Sequence, residues 1–393
     1  MVKLSDAVEI LDSKRIPVSS AERATRRKLF PYYGAQGVVD YIDDYLFDGD
    51  YVLVAEDGNN LKTLTEPIVT WATGRFWVNN HAHILGSNGK ANIRYVFYYL
   101  MASDLRGLIT GSAQPKLNQA NLAAFEINLP SKKVQDEVVS ILGAIDDKIA
   151  NNKRIIKEFE ETARLIYDYW FTQFDFPDEN EKPYRTSGGK MVWSEKLKRE
   201  IPEGWMVKKL GDLAPLLKST VQPSNAEIYE HYSIPAFDAN KYPAFEPGLN
   251  IDSGKYSITE NSLLYSKLNP KFKRLWVPLC LADNLICSTE FLVFEPIDSM
   301  IHSYVYGVLD SSLYYAYMQS KAISSTGSRA RVDPEVAINF AVVMPDETIL
   351  KRFDNIIDPV LRQIKDLRIQ INELIELRNW LLPMLMNCQV KVN

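Results

Sequence analysis

The sequence has 393 residues, roughly two to three times the length of a usual single domain, so at least two folding units are expected. Hydrophobic residues make up 46% and aromatics 11%, which excludes a disordered chain, and the formal net charge of −5 argues against a protein that coats nucleic acid indiscriminately. No basic start leads into an apolar stretch and no apolar run approaches the roughly 18 residues a membrane span needs, so a cytoplasmic chain without membrane association is expected.

In chain order, the region up to about residue 130 holds short runs such as YVLVA (51–55) and RFWVN (75–79), separated by Gly, Asn and Asp turns. Apolar and aromatic segments of this length read as strands. The segment GSAQPKLNQANLAAFEINLP (111–130) then leads through Pro130 and the capping residue Ser131 into a helix predicted over about Lys132 to Phe171. Leu142, Ile145, Ile149, Asn152, Ile156, Phe159, Ala163, Ile166 and Trp170 recur along it at steps of three and four. The stretch 177–204 is rich in Glu, Lys, Gly and Pro and reads as a connector. A second globular region, 205–345, contains the strand-like runs SLLYSKL (262–268) and TEFLVFE (289–295). It closes on GSRARVDPEVAINFAVVMP (327–345), and Asp346 caps a second helix predicted from Glu347 to Leu382 and ended by Pro383.

The chain therefore repeats itself about 215 residues apart. Ile357, Val360, Ile364, Leu367, Ile371, Leu374, Arg378, Leu381 and Leu385 form a second three-four seam, each residue 215 positions after its counterpart in the first. Such a seam makes helices pair along their length, and two matched seams in one chain can satisfy each other. The alternative is two amphipathic helices, each lying on its own domain. Asn152 and Arg378 interrupt the seam and are read as register-fixing residues. At about 1.5 Å per residue each helix would span roughly 50 to 60 Å, a strut too long for one compact domain. The globular openings echo each other as well, Lys3-Leu4-Ser5-Asp6 against Lys209-Leu210-Gly211-Asp212, while the interiors diverge. The expected fold is mixed α/β: two domains separated by a pair of long, antiparallel coiled-coil helices with an internal pseudo-two-fold repeat.

Signatures of catalysis fail one by one. Asn269-Pro270-Lys271-Phe272 has lysine where an adenine methyltransferase loop needs a second proline, and no glycine-rich donor loop precedes it. Gly189-Lys190 and Gly254-Lys255 lack the flanking residues of a phosphate-binding loop. Pro177-Asp178 is followed by Asn180-Glu181-Lys182, with asparagine where a nuclease needs an acid. Cys280, Cys287 and Cys388 show no metal-ligand spacing, and His81 and His83 would share a strand face without a third ligand, so neither a metal nor any other cofactor is expected.

These segments resemble the type I restriction-modification DNA specificity subunits. The resemblance is carried by GSAQPKLNQANLAAFEINLP with Gln135, Ile141-Leu142, Ile145-Asp146-Asp147-Lys148-Ile149 and the run from Trp170 to Pro177. Ile201-Pro202-Glu203-Gly204-Trp205 is similar to the family's lead-in to a target-recognition domain, and Arg378 to Met386 to its C-terminal close. The first domain's YGAQGVVDYIDDYLFDGDYVLVAEDG and FWVNNHAHIL look like one recurring subtype of recognition domain. The resemblance implies a non-catalytic subunit with target-recognition domains at 1–130 and 205–345, conserved helical regions at 131–176 and 346–393, and the connector between. Each recognition domain would read one half of a bipartite double-stranded DNA target. The helices would set the spacing and dock two modification subunits, alongside restriction subunits, and S-adenosylmethionine, ATP and magnesium would belong to those partners. A coiled-coil scaffold without DNA, or a stand-alone methyltransferase or nuclease, are the rival readings.

Base edges are read by paired bonds from Arg, Asn and Gln, whereas Lys and Ser more often position phosphates. On that chemistry the first domain's DNA-facing candidates are Tyr33, Gln36, Arg75, Asn79, Asn80 and His81, with the loop residues Thr110, Ser112, Gln114 and Lys116. In the second domain they are Lys267, Asn269, Lys271, Lys273 and Arg274, with Ser328, Arg329 and Arg331.

Overall fold

The computed structural model describes residues 1–63, 67–111, 114–323 and 329–387. The chain packs as two units, one of Met1–Ile149 with Leu374–Asn393 and one of Ala150–Glu373. Each unit thus takes a mixed α/β body and a stretch of both long helices.

In the first unit, an antiparallel four-stranded sheet runs in the order Val8–Ile10, Ala82–Ser87, Tyr51–Ala55, Val69–Ala72. A second sheet runs Gly37–Ile42, Phe30–Gly34, Arg75–Val78, Phe47–Asp48, and its middle pair is parallel. The strand Tyr51–Ala55 explains its unbroken apolar run. Alternate side chains point to opposite faces, so Val52 and Val54 enter one core with Leu4, Tyr95 and Leu142, while Leu53 enters another with Phe47 and Phe76. In the second unit a five-stranded sheet runs Thr220–Val221, Lys255–Ser257, Leu285–Cys287, Ile228–Tyr232, Ala244–Pro247, again with one parallel pair. Leu275–Trp276, Leu263–Ser266 and Phe291–Phe294 form a separate three-stranded sheet.

The repeat is visible bond by bond. Val2–Lys3 pairs with Glu126–Ile127, and Met206–Lys209 pairs with Ala341–Met344, the strand just before each long helix. The Leu4 amide donates to the Phe125 carbonyl and the Leu210 amide to the Phe340 carbonyl, each at 2.8 Å. Tyr95 donates its hydroxyl to the Asn128 carbonyl, and Tyr304 donates to the Val343 carbonyl. Asn118 and Asp333 cap the short helices Gln119–Ala124 and Pro334–Ile338. Two interiors of different sequence therefore hang on one frame.

The long helices are Lys132–Tyr167 and Glu347–Met386. The first gives way to a wider turn over Asp168–Thr172. The second continues through Pro383 instead of ending there. A proline inside a helix orphans the carbonyl four residues back, here Asn379, but both residues are exposed and water can satisfy it. Leu382, Leu385 and Met386 meanwhile bury into the first unit's core beside Val138 and Leu142, which holds the last turn in helical form. The connector contains an ordered hairpin, Met191–Ser194 with Arg199–Pro202, next to a stack of Phe176 on Trp205 with centroids 4.8 Å apart.

Within each unit the two helices run antiparallel. In the first, Arg378 donates to Asp146 at 2.8 Å, and the same carboxylate accepts from Tyr98 at 2.7 Å. In the second, Asn152 donates to Gln370 at 3.3 Å, and Arg368 to Glu160 at 2.8 Å. Of the expected seam, Leu142, Ile145, Ile149, Ile156, Ile357, Ile364 and Ile371 are buried, whereas Phe159, Ile166, Val360, Leu367, Leu374 and Leu381 are half-buried. Leu350 and Phe353 are buried as well and continue the seam toward the helix start, with Phe353 against Tyr167, Trp170 and Phe171, while Leu361 lies off the seam and lines a space with Leu275, Trp276 and Tyr306 of the globular body. Among the described residues no helix is long and apolar enough to cross a membrane.

Leu361→Ala should cost about 2–5 kcal/mol, as expected for a fully enclosed leucine. Val360→Ala, one position away and half-exposed, should cost less than about 1.5 kcal/mol. Chemical denaturation of the two variants checks this ordering, and equal losses would contradict the burial pattern.

Candidate nucleic-acid interface

In the first unit the fold gathers most of the candidates at the turns following two neighbouring strands. The Asn79 amide donates to the Tyr33 carbonyl at 3.0 Å, and the Asn79 carboxamide oxygen accepts from the His81 amide at 2.8 Å. Gln36 and Asn80 are exposed beside them. The His81 ring lies 2.9 Å from the Asp57 carboxylate. The backbone of Asp57 pairs with that of Lys116 in an isolated antiparallel β-bridge, and the Lys116 ammonium lies 3.0 Å from Glu56. Thr110 and Gln114 are exposed in the same loop, with the Thr110 hydroxyl donating to the Lys116 carbonyl at 3.2 Å. Arg75 is set apart. It begins the strand that Asn79 follows, roughly 13 Å away at about 3.3 Å per residue, and it pairs with Asp48 at 3.0 Å while lying over the Tyr45 ring. Ser112 lies outside the described residues.

In the second unit the two candidate groups, some 60 positions apart in sequence, come together. The Asn269 amide donates to the Ala330 carbonyl at 2.7 Å, and the Val332 amide donates to the Lys267 carbonyl at 3.1 Å. Asn269 holds the loop turn in a left-handed conformation with φ 48°. Lys271 is exposed, with its ammonium over the Phe272 ring. Lys273 and Arg274 are engaged inward, Lys273 with Asp310 at 2.5 Å and Arg274 in a two-pronged pair with Asp238 at 2.6 and 2.8 Å. Arg331 makes a similar fork on Glu290 and Arg329 is exposed, while Ser328 lies outside the described residues.

The two sites share one plan. Lys116 and Arg331 stand 215 residues apart, each an exposed cation on the loop before the capped short helix and each held by a glutamate. The residue after each is buried, Leu117 at 0% and Val332 at 1% exposure, and its amide is bonded across to the facing segment. The cations were legible in the sequence. Their acidic partners were not, because Glu56 and Glu290 sit at unrelated offsets in the divergent interiors and only the fold brings them to matching places.

A model of the type I restriction modification DNA specificity domain matches residues 1–161. A putative type I restriction enzyme specificity subunit of Haemophilus influenzae is 36% identical over 142 residues, 36% of each chain. A type I restriction enzyme specificity subunit of Methanocaldococcus jannaschii is 24% identical over 326 residues, covering 76% of this chain and 69% of that one. Over residues 1–161 the chain is similar to the type I restriction modification DNA specificity domain, and these two relatives are both type I restriction enzyme specificity subunits. Its match spans about a third of the Haemophilus specificity subunit's length. The fold is that of the crystallised S subunit of a type I system from M. genitalium, with TM-score 0.55 and 13% identity over 98% of this chain and 95% of that one.

The first unit also holds a charge network that the sequence did not reveal. Asp12, Glu56 and His83 bring three potential ligand atoms within 4.8 Å of one another. The set fits a salt-bridge network better than a cation site, because Arg15 reaches Glu56 at 2.6 Å and Lys116 already occupies the other side of that carboxylate. Both ring nitrogens of His83 are engaged, with Asp12 at 2.6 Å and the Leu117 carbonyl at 2.7 Å. Since a carbonyl only accepts, the buried ring donates on both sides when it is protonated. Burial opposes that charge, but the bonds to Asp12 and Leu117 and the nearby carboxylates outweigh it and raise the His83 pKa. Burial likewise opposes ionised Asp12, and the His83 bond, the Ile84 amide and Arg15 overcome it and lower its pKa.

The sign of the linkage follows. The stabilisation from charged His83 is complete below the ordinary histidine value and is lost as pH rises through its raised folded value. That from Asp12 is present above the ordinary aspartate value and is lost as pH falls through its lowered folded value. NMR titration of the His83 ring should therefore give a midpoint above that of a histidine in the unfolded chain; a midpoint at or below it would contradict a doubly donating ring.

Proposed function

We propose that this chain is the non-catalytic, sequence-reading subunit of a type I restriction-modification complex, acting in the cytoplasm on double-stranded DNA with a bipartite target. Residues 1–130 read one half and residues 205–345 the other. The paired helical regions, 131–176 and 346–393, set the spacing and dock two modification subunits, with restriction subunits completing the assembly. Cofactors for methyl transfer and cleavage belong to those partners.

The observation that carries this reading is the pair of equivalent loops presenting Lys116 and Arg331 in divergent surroundings. A common frame supplies the same backbone support, and the variable interiors supply different side chains around it. Gln36, Asn79, Asn80 and Gln114 offer paired bonds to base edges in the first domain, with Tyr33, Arg75, His81, Thr110 and Ser112 around them. Asn269, Arg329 and Arg331 do so in the second, with Lys267, Lys271 and Ser328 positioning phosphates and Lys273 and Arg274 bracing the loop through Asp310 and Asp238. The glutamates have a physical use. A carboxylate beside each cation repels stray phosphates, so that nonspecific attraction stays low until base contacts repay the separation of the ion pair.

Exchanging residues 206–343 for the corresponding part of another specificity subunit should change one half of the methylated sequence and leave the other intact, as read by mapping methylated adenines in cells that also express the modification subunit. A simultaneous change in both halves would refute independent reading. Arg331→Gln should weaken binding by about 1–3 kcal/mol if it contacts a base, with loss of discrimination confined to a single half-site.

A further inference from the structure

The second unit contains a basic cleft that lies outside the recognition loops. Its floor and walls come from Lys153, Ile156 and Lys157 on the first long helix, Arg368 and Ile371 on the second, and the turn Asn240-Lys241-Tyr242. The open cleft has a volume of about 240 Å³. The helical part is built from repeat-related positions, since Lys153 and Ile156 recur 215 residues later as Arg368 and Ile371.

Its charge is unbalanced. Glu160 is the single acid in the lining, and it is shared by Lys241 at 3.1 Å and Arg368 at 2.8 Å. Lys157 reaches a carboxylate outside the cleft, Glu161, only at 3.9 Å, and Lys153 has no acidic partner within ion-pair distance among the described residues. Four cations therefore line the space against one carboxylate. Two of them, Lys241 and Arg368, are largely enclosed, with side chains 31% and 14% exposed. Burial pushes the Lys241 ammonium down, and the neighbouring Arg368 charge pushes the same way against the pull of Glu160. Clustered cations in a partly dry cleft repel one another unless an anion lies between them, and Lys241 is held there by a left-handed backbone turn with φ 52° at the end of its helix.

We infer that this cleft binds a phosphate group, held by Lys153, Lys157 and Lys241, at a place separate from the base-reading loops. The phosphate source is the DNA backbone, an assignment that rests on the proposed function; a free phosphate has the same chemistry and the experiment separates the two. Lysines acting as point charges suit a phosphate contact that carries no sequence information.

The test compares the full chain with its Lys153→Gln/Lys157→Gln variant, two exposed positions whose change leaves the core intact, and with Lys351→Gln/Lys196→Gln as a charge-matched control. Affinity for random-sequence duplex DNA is measured against salt concentration, and thermal unfolding is followed with inorganic phosphate against chloride at equal ionic strength. One lost phosphate contact should reduce the slope of log affinity against log salt by about 0.9 in the cleft variant, with a smaller change in the control. An unchanged slope accompanied by phosphate stabilisation of the wild type, lost in the cleft variant, would keep the phosphate site and replace DNA by a free phosphate as its source. Equal slopes together with no specific phosphate stabilisation would overturn the site. If the wild type bound no DNA even with its modification subunit, the proposed function would fail, and the phosphate arm alone would still decide the cleft.

Discussion

A helix of 36 or 40 residues cannot bury its own apolar stripe, and everything else in this chain is arranged around that constraint. The stripes of the two long helices meet in antiparallel fashion within each unit, and each unit's globular body covers what the partner helix leaves open. The polar interruptions mark register. Arg378 finds Asp146 and Asn152 finds Gln370, pairs that a slip of one turn would break. The buried Leu361, one position off the seam, follows from the second demand, since a helix gripped on two faces buries more than its pairing seam.

The same frame positions the loops proposed to face DNA. In each unit the strand preceding a long helix pairs with Val2–Lys3 or Met206–Lys209, a tyrosine from an inner helix donates to the Asn128 or Val343 carbonyl at or beside the end of that strand, and a side chain at a fixed offset caps the short helix after the loop. The loop is thereby anchored at its C-terminal side while the rest of the interior is free to vary. Lys116 and Arg331 occupy the anchored part, which is why their placement is equivalent although their neighbours are not.

Electrostatics complement this scaffold in an economical way. Four cations near the proposed DNA-facing loops are held by acids: Lys116 by Glu56, Arg331 by Glu290, Arg75 by Asp48, Arg274 by Asp238. Such pairing leaves these cations without local excess charge, in keeping with a chain of net charge −5. Lys153 departs from that pattern, as do the two cations that share the one carboxylate of Glu160, and with Lys157 they line a cleft against that single acid.

The sequence by itself determined the repeat, the two long helices, the strand at Tyr51–Ala55 and the cations at Lys116 and Arg331. Each of these is written in local periodicity or in a fixed 215-residue offset, and both survive whatever the intervening chain does. Tertiary structure alone decided the rest. Whether Lys273 and Arg274 face outward depends on Asp310 and Asp238, some 36 positions away, and the His83 network draws on strands and loops from residue 12 to residue 117. The helix past Pro383 persists because Leu385 and Met386 reach the first unit's core, a gain no local rule about proline includes. Ion pairs and burial join residues through space, and a pattern read along the chain records only those partners that happen to share its period.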